Sequence, residues 1–167
     1  MNKKSNIILI GMSGAGKSTL GVLLAKALGK SFVDTDIIIQ QSEGRLLQNI
    51  IDDDGNEAFM KIEENVILSL EVENCIIATG GSVVYSEAAM KRLSENGHVV
   101  YLHVDFEEIS SRLKNITTRG IVFKNANSLK GVYDERLPLY EKYADIIVMC
   151  SGNSIEESVE NIIDRLG

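Results

Sequence analysis

Ile7-Ile8-Leu9-Ile10-Gly11-Met12-Ser13-Gly14-Ala15-Gly16-Lys17-Ser18-Thr19-Leu20 is the stretch that decides the fold. Residues 11–18 fit G-x-x-x-x-G-K-[ST], the phosphate-cradling P-loop. The apolar run before it suits a buried parallel strand. Leu20, Leu23, Leu24, Ala27 and Leu28 follow at helical spacing. The loop therefore joins a strand to a helix N-terminus, as phosphate binding requires. Its glycines let the backbone wrap closely around oxygen atoms. The unpaired N–H groups of the first turn point at an anion, and the helix dipole favours it. Lys17 is placed to reach the β- and γ-phosphates of a nucleotide, and Ser18 to ligate Mg²⁺. Gly14, Ala15, Gly16, Lys17, Ser18 and Thr19 are the expected nucleotide-binding residues. A ligand-free strand–helix turn is the alternative, and the flanking elements weigh against it.

Outward from this loop, 167 residues suit one domain, 1–167, with a substantial core. Hydrophobic residues at 44% and charged ones at 25% are an ordinary globular balance. The net charge of -7 argues against nucleic acid or an anionic membrane as the main partner. The phosphate site must then be a local positive pocket in an acidic protein. No apolar run is long enough for a membrane span, and the first one is too short for a signal peptide and is interrupted by the P-loop. The expectation is a cytoplasmic monomer acting on a small molecule. Cys75 and Cys150 sit in apolar runs and read as buried small hydrophobes. Two cysteines without metal spacing make no zinc site.

The pattern alternates strand and helix. Strands are expected at 6–10, 31–34, 75–79, 98–104 and 145–149. Helices are expected at 17–28, 36–42, 46–53, 57–73, 86–96, 106–114, 131–143 and 154–166. Such alternation predicts an α/β fold, a five-stranded parallel sheet with helices on both faces. Ligands then lie beyond the carboxyl ends of the strands.

The residues at those ends follow from that rule. Phe32-Val33-Asp34-Thr35-Asp36 closes the second strand with two alternating carboxylates, which an extended chain would aim the same way. Beside Mg·ATP, one can hold the metal and the other an acceptor hydroxyl whose proton it takes. Capping of the next helix by Asp36 would explain one aspartate but not both. Cys75-Ile76-Ile77-Ala78-Thr79 runs into Gly80-Gly81-Ser82, either a tight turn or a backbone that a ligand can approach. No Asp closes this strand, which makes Asp34 the better metal candidate. The region 112–136 places Arg112, Arg119, Lys124, Lys130 and Arg136 among small polar residues. It reads as a basic loop that closes over a phosphorylated ligand, with Arg119 stabilising the transferring group. His98 and His103 have no metal-ligand spacing.

These landmarks together resemble the shikimate kinase family, small P-loop kinases of the nucleoside-monophosphate-kinase fold. The resemblance spans nearly the whole chain: the P-loop, Asp34-x-Asp36, and Gly55-Asn56-Glu57-Ala58-Phe59 leading into Ile62-Glu63-Glu64. It continues through Gly80-Gly81, Arg112 with Arg119, and Arg136-Leu137-Pro138-Leu139-Tyr140. It implies ATP-dependent phosphorylation of the 3-hydroxyl of shikimate, on the route to chorismate and the aromatic amino acids. It implies Asp36 on the substrate hydroxyl and Asp34 on Mg²⁺ through water. Gly80 and Gly81 would contact substrate, Arg112 and Arg119 the nucleotide, and Arg136 the shikimate carboxylate. The acceptor-binding region would be about 35–73 and the lid about 112–128.

Several positions depart from the pattern. The family reads Phe-Arg where this chain has Phe59-Met60, and a thioether cannot replace a guanidinium. Glu63 and Glu64 stack beside Met60 at helical spacing, leaving an arginine's partner without its cation. Ser82 stands for the third glycine of a triplet, a strained choice if that position needs positive φ. Arg119-Gly120 replaces Arg-Pro, and Gly55-Asn56 replaces Gly-Glu. Other readings are a same-fold kinase for another small hydroxy acid or polyol, or a nucleotide-binding regulatory module without kinase activity. A gluconate kinase lacks its acceptor motif here. A nucleotide acceptor would want several arginines, where 37–74 offers only Arg45.

Overall fold

The computed structural model describes residues 3–114, 121–122 and 128–167. Five strands run parallel in the order β2-β3-β1-β4-β5. They are β1 (Asn6–Ile10), β2 (Ser31–Asp34), β3 (Cys75–Ala78), β4 (Gly97–His103) and β5 (Ile146–Met149). The helices are α1 (Lys17–Leu28), α2 (Thr35–Glu43), α3 (Leu47–Asp54), α4 (Asn56–Leu68), α5 (Glu87–Asn96), α6 (Phe106–Lys114), α7 (Leu129–Tyr143) and α8 (Ile155–Leu166). A 3₁₀ turn, Val83–Tyr85, precedes α5. This is the α/β architecture expected from the alternating pattern.

Strands covered on both faces read as unbroken apolar runs. Every residue of β1 and β3 is buried accordingly, whereas the edge strands β2 and β5 are partly exposed. The chain leaves β1 for the edge strand β2 and returns to fill the gap with β3. Ligand crevices open where the strand order reverses in this way. The P-loop, the end of β2 and the end of β3 thus meet on one rim.

The main core packs around the sheet. A second, smaller cluster joins α2, α3 and α4: Ile39, Ile50, Phe59 and Val122, with Met60 packed against it. It forms a separate apolar body beside the crevice.

Observed and expected elements differ mainly at the end of α4. The sequence pattern predicts a helix as far as residue 73, but α4 stops at Leu68. Ser69 Oγ bonds the Asn65 carbonyl (2.8 Å), and Leu70 and Val72 turn onto the main core. Asn74 then takes a positive φ of 51°. The pull is tertiary. Buried Asn6 donates from Nδ2 to the Val72 carbonyl (2.8 Å) and accepts the Cys75 N–H on Oδ1 (3.0 Å). One side chain thereby ties β1, the α4–β3 link and the start of β3. Asn6→Ala should cost about 1–3 kcal/mol by denaturant unfolding, because the buried Cys75 N–H and the half-buried Val72 carbonyl lose their partner. A change below about 0.5 kcal/mol would show that the staple is dispensable.

Candidate active site

The P-loop is built to leave a helix end open. Gly14 and Gly16 have φ of 86° and 95°, a left-handed backbone that side chains resist. Gly16 is the N-cap of α1 and offers no side chain to its first-turn N–H groups, and that turn holds no acid. By contrast α2, α5, α7 and α8 are capped by Asp34, Ser86, Ser128 and Ser154. The starts of α3 and α4 also lack a side-chain cap; α1 differs in that its first turn lines the rim cavity, a setting that suits an anion. Lys17 is buried, and its Nζ donates to the carbonyls of Gly11 (2.6 Å) and Met12 (2.8 Å). The loop backbone thus fixes the ammonium beside a cavity of about 250 Å³ that Asp36, Gly80 and Gly81 also line.

The two aspartates divide their work differently from the extended-chain expectation. Asp34 is the last residue of β2 and the N-cap of α2, its Oδ1 accepting the Asp36 N–H (2.9 Å). Capping thus falls to Asp34, not Asp36, which sits in the first helical turn and lines the cavity. The other oxygen of Asp34 accepts a hydrogen bond from Ser18 Oγ at 2.6 Å. A hydroxyl and a carboxylate oxygen side by side are the donors that a hard divalent cation prefers. Among the described residues no group of three or more His, Cys, Asp or Glu gathers as a metal centre.

Gly80 and Gly81 follow β3 into the cavity, and space, not backbone freedom, demands glycine there. A Cβ on Gly80 would stand 2.7 Å from Glu63 Oε2 and 2.8 Å from Asp36 Oδ1. A Cβ on Gly81 would stand 2.7 Å from Arg136 Nη1. Tyr140 holds the turn by donating to the Gly81 carbonyl (2.7 Å).

Arg136 is 1% exposed. Its Nη2 donates to the Val122 carbonyl (2.7 Å), and its Nε reaches the Tyr85 hydroxyl (3.4 Å). The Tyr85 ring lies under the guanidinium, 5.4 Å from centroid to Cζ. Nη1 is buried and has no hydrogen-bond partner among the described residues. Arg112 donates from Nη1 to the Gly14 carbonyl (2.8 Å) and pairs with Glu108 (2.6 Å). It also lines a cavity of about 330 Å³ with Gly16, Thr19, Asn153 and Ser154. Arg119 and Lys124 lie outside the described residues. Both cysteines are free and buried, as expected.

Glu63, part of the family stretch and stacked beside Met60, is a further functional candidate because of its burial. On α4 the buried positions are Phe59, Glu63 and Ile67, so a carboxylate sits within the apolar stripe. That interruption was visible in the sequence, since acids almost never occupy a stripe without purpose. Glu64, by contrast, faces outward to Lys61 and Ser86. Burial pushes the Glu63 carboxyl up to about 7, and the charge of Asp36 adds to the effect. The Ser82 hydroxyl, Arg136 and Lys17 pull it the other way.

That elevation has a measurable sign. The folded protein holds a proton on Glu63 where the unfolded chain, titrating near 4.5, has lost it. Stability from this group is full below pH 4.5 and is lost as pH rises through about 7. Over that window the loss is on the order of 3 kcal/mol. Glu63→Gln, which stays neutral, should flatten the decline in unfolding free energy between pH 5 and pH 8. Parallel curves for the two proteins would show that Glu63 ionises normally.

The shikimate kinase family profile matches residues 13–167. Over 161 residues the chain is 39% identical to the shikimate kinase of Thermodesulfovibrio yellowstonii, covering 95% of this chain and 92% of that one. It is 34% identical to that of Persephonella marina over 162 residues, covering 96% and 98%. The structure of the Acinetobacter baumannii shikimate kinase in complex with shikimate superposes with a TM-score of 0.90 at 27% identity, covering 99% of this chain and 94% of that one. With its P-loop, strand-end aspartates and buried Arg136 on one rim, the chain belongs to the shikimate kinase family.

Proposed function

We propose that the protein transfers the γ-phosphoryl group of ATP to the 3-hydroxyl of shikimate, a step toward chorismate and the aromatic amino acids. The observation that carries the reading is Arg136. A guanidinium that is 1% exposed keeps Nη1 without a hydrogen-bond partner among the described residues, facing Gly81 beside the P-loop cavity. A buried cation with an open donor fits a substrate carboxylate. The Acinetobacter relative, with the same fold, was solved with shikimate.

The open turn of α1 and Lys17 hold the nucleotide phosphates. The 330 Å³ cavity beside Arg112 is large enough for the rest of the nucleotide. Asp36 receives the acceptor hydroxyl and takes its proton as oxygen attacks the γ-phosphorus and the bond to ADP breaks. Gly80 and Gly81 leave room for the substrate ring against the backbone. Ser18 and Asp34 would hold Mg²⁺, which neutralises phosphate charge when bound. Arg119, within the lid at about 112–128, is assigned to the transferring phosphoryl group on the family pattern. The α2–α4 region, about 35–73, forms the acceptor side. We further propose a cytoplasmic monomer. Two buried free cysteines suit a reducing compartment where ATP is abundant.

Lys17→Met should lower turnover by about 10²-fold or more with the fold intact by circular dichroism. Asp36→Asn should keep ATP protection against thermal unfolding but lose phosphotransfer, since an amide cannot accept the proton. Arg136→Lys should raise the shikimate KM by about 10–150-fold while leaving the ATP KM ordinary, the scale of one charge-assisted contact. Wild-type ATP consumption that ignores shikimate but responds to another hydroxy acid would reassign the acceptor.

A further inference from the structure

Two departures from the family pattern converge on one carboxyl group. Glu63 is 2% exposed and lies one helical turn beyond Met60, where the family carries arginine. Met60 packs against the apolar cluster of Ile39, Ile50, Phe59 and Val122. Lys61, the neighbouring cation, is engaged with Glu64 at 3.0 Å. Glu63 Oε1 instead accepts a hydrogen bond from Ser82 Oγ at 2.8 Å. Ser82 is the residue that replaces the family's third glycine. Its backbone sits at φ −85°, ψ −4°, so the strain feared for a non-glycine residue there does not arise. Glu63 Oε2 is buried without a hydrogen-bond partner among the described residues. With Asp36 Oδ1 it crowds the face of Gly80, on the acceptor wall.

We infer that Ser82 is a positioning residue for the acceptor: its hydroxyl takes over, from the arginine absent at position 60, the task of holding the Glu63 carboxyl against Gly80 beside Asp36. The charged groups facing Glu63 leave little else for that task. Asp36 on α2 repels it, Arg136 on α7 and Lys17 on α1 attract it, and Ser82 Oγ donates a hydrogen bond to it. Beside Glu63 and Ser82 a cavity of about 290 Å³, lined also by Met60 and Tyr85, gives the carboxyl room to swing away once the hydroxyl is gone. The same cavity has space for an arginine side chain from position 60. Serine at 82 and arginine at 60 are thus alternative solutions to one problem, and their effects should not add.

The inference rests on the acceptor site described above, so the test has two readouts. Wild type, Ser82→Ala, Met60→Arg and the double variant are compared, with Ser82→Thr as the conservative control. In steady-state assays with Mg·ATP, Ser82→Ala should raise the shikimate KM about tenfold with the ATP KM unchanged. Ser82→Thr should stay near wild type, and Met60→Arg should restore the Ser82→Ala variant to within about twofold of Met60→Arg alone. In thermal unfolding of the ligand-free proteins at pH 8, Ser82→Ala should lower Tm in the wild-type background and hardly change it in the Met60→Arg background. Absence of shikimate turnover in wild type would sink the acceptor assignment alone, and the Tm cycle would still decide the role of Ser82. Additive effects in both readouts, or a Ser82→Ala variant indistinguishable from wild type, would overturn the inference.

Discussion

The uncapped start of α1 at the end of β1 is the constraint around which the rest of the molecule is arranged. A helix N-terminus carries orphan donors and a positive dipole end. Four other helices here answer that need with a Ser or Asp side chain. Only a left-handed glycine, Gly16, stands at α1, and Lys17 bends back to the Gly11 and Met12 carbonyls. The positive charge is thereby concentrated within a chain whose net charge is -7. Placing this end beside β2 and β3 obliges the chain to skip from β1 to the sheet edge and return, which opens the crevice.

The opposite wall of the crevice obeys a different rule. It buries ionisable groups that a purely structural site would not retain, because an ion taken from water is costly unless it is paired. Arg136 and Glu63 are nearly inaccessible, and each keeps one polar atom without a hydrogen-bond partner among the described residues. A side chain on Gly80 would collide with Glu63, and one on Gly81 with Arg136. Tyr85, Tyr140 and the Val122 carbonyl brace this wall.

The nucleotide side was legible in the chain because its chemistry is local. A strand, a glycine-rich turn and a helix start are consecutive, so spacing alone carries the geometry. The acceptor side was legible only in part. Arg136, Gly80–Gly81 and the Glu63–Glu64 pair all stand in the family pattern, but nothing in it says which of the two carboxylates is buried. The hydrogen-bond donor to Glu63 is Ser82, nineteen positions away in sequence, and no periodicity links the two. Ser82 itself looked strained on paper and is not, because the turn after β3 passes through an ordinary right-handed conformation.

The sequence by itself determined the order of strands and helices, the parallel sheet and the phosphate-binding loop, since each follows from apolar periodicity and turn chemistry within short windows. It also placed Asp34 and Asp36 at the end of β2, beside the P-loop. Tertiary structure decided which of them caps α2, where α4 ends, and which partners the buried charges keep. Those outcomes turn on contacts between segments far apart in the chain: Asn6 with Val72, Ser18 with Asp34, Ser82 with Glu63, Val122 with Arg136. Burial sets the dielectric and the donor supply around each group, and burial belongs to the folded ensemble of segments and not to any one of them.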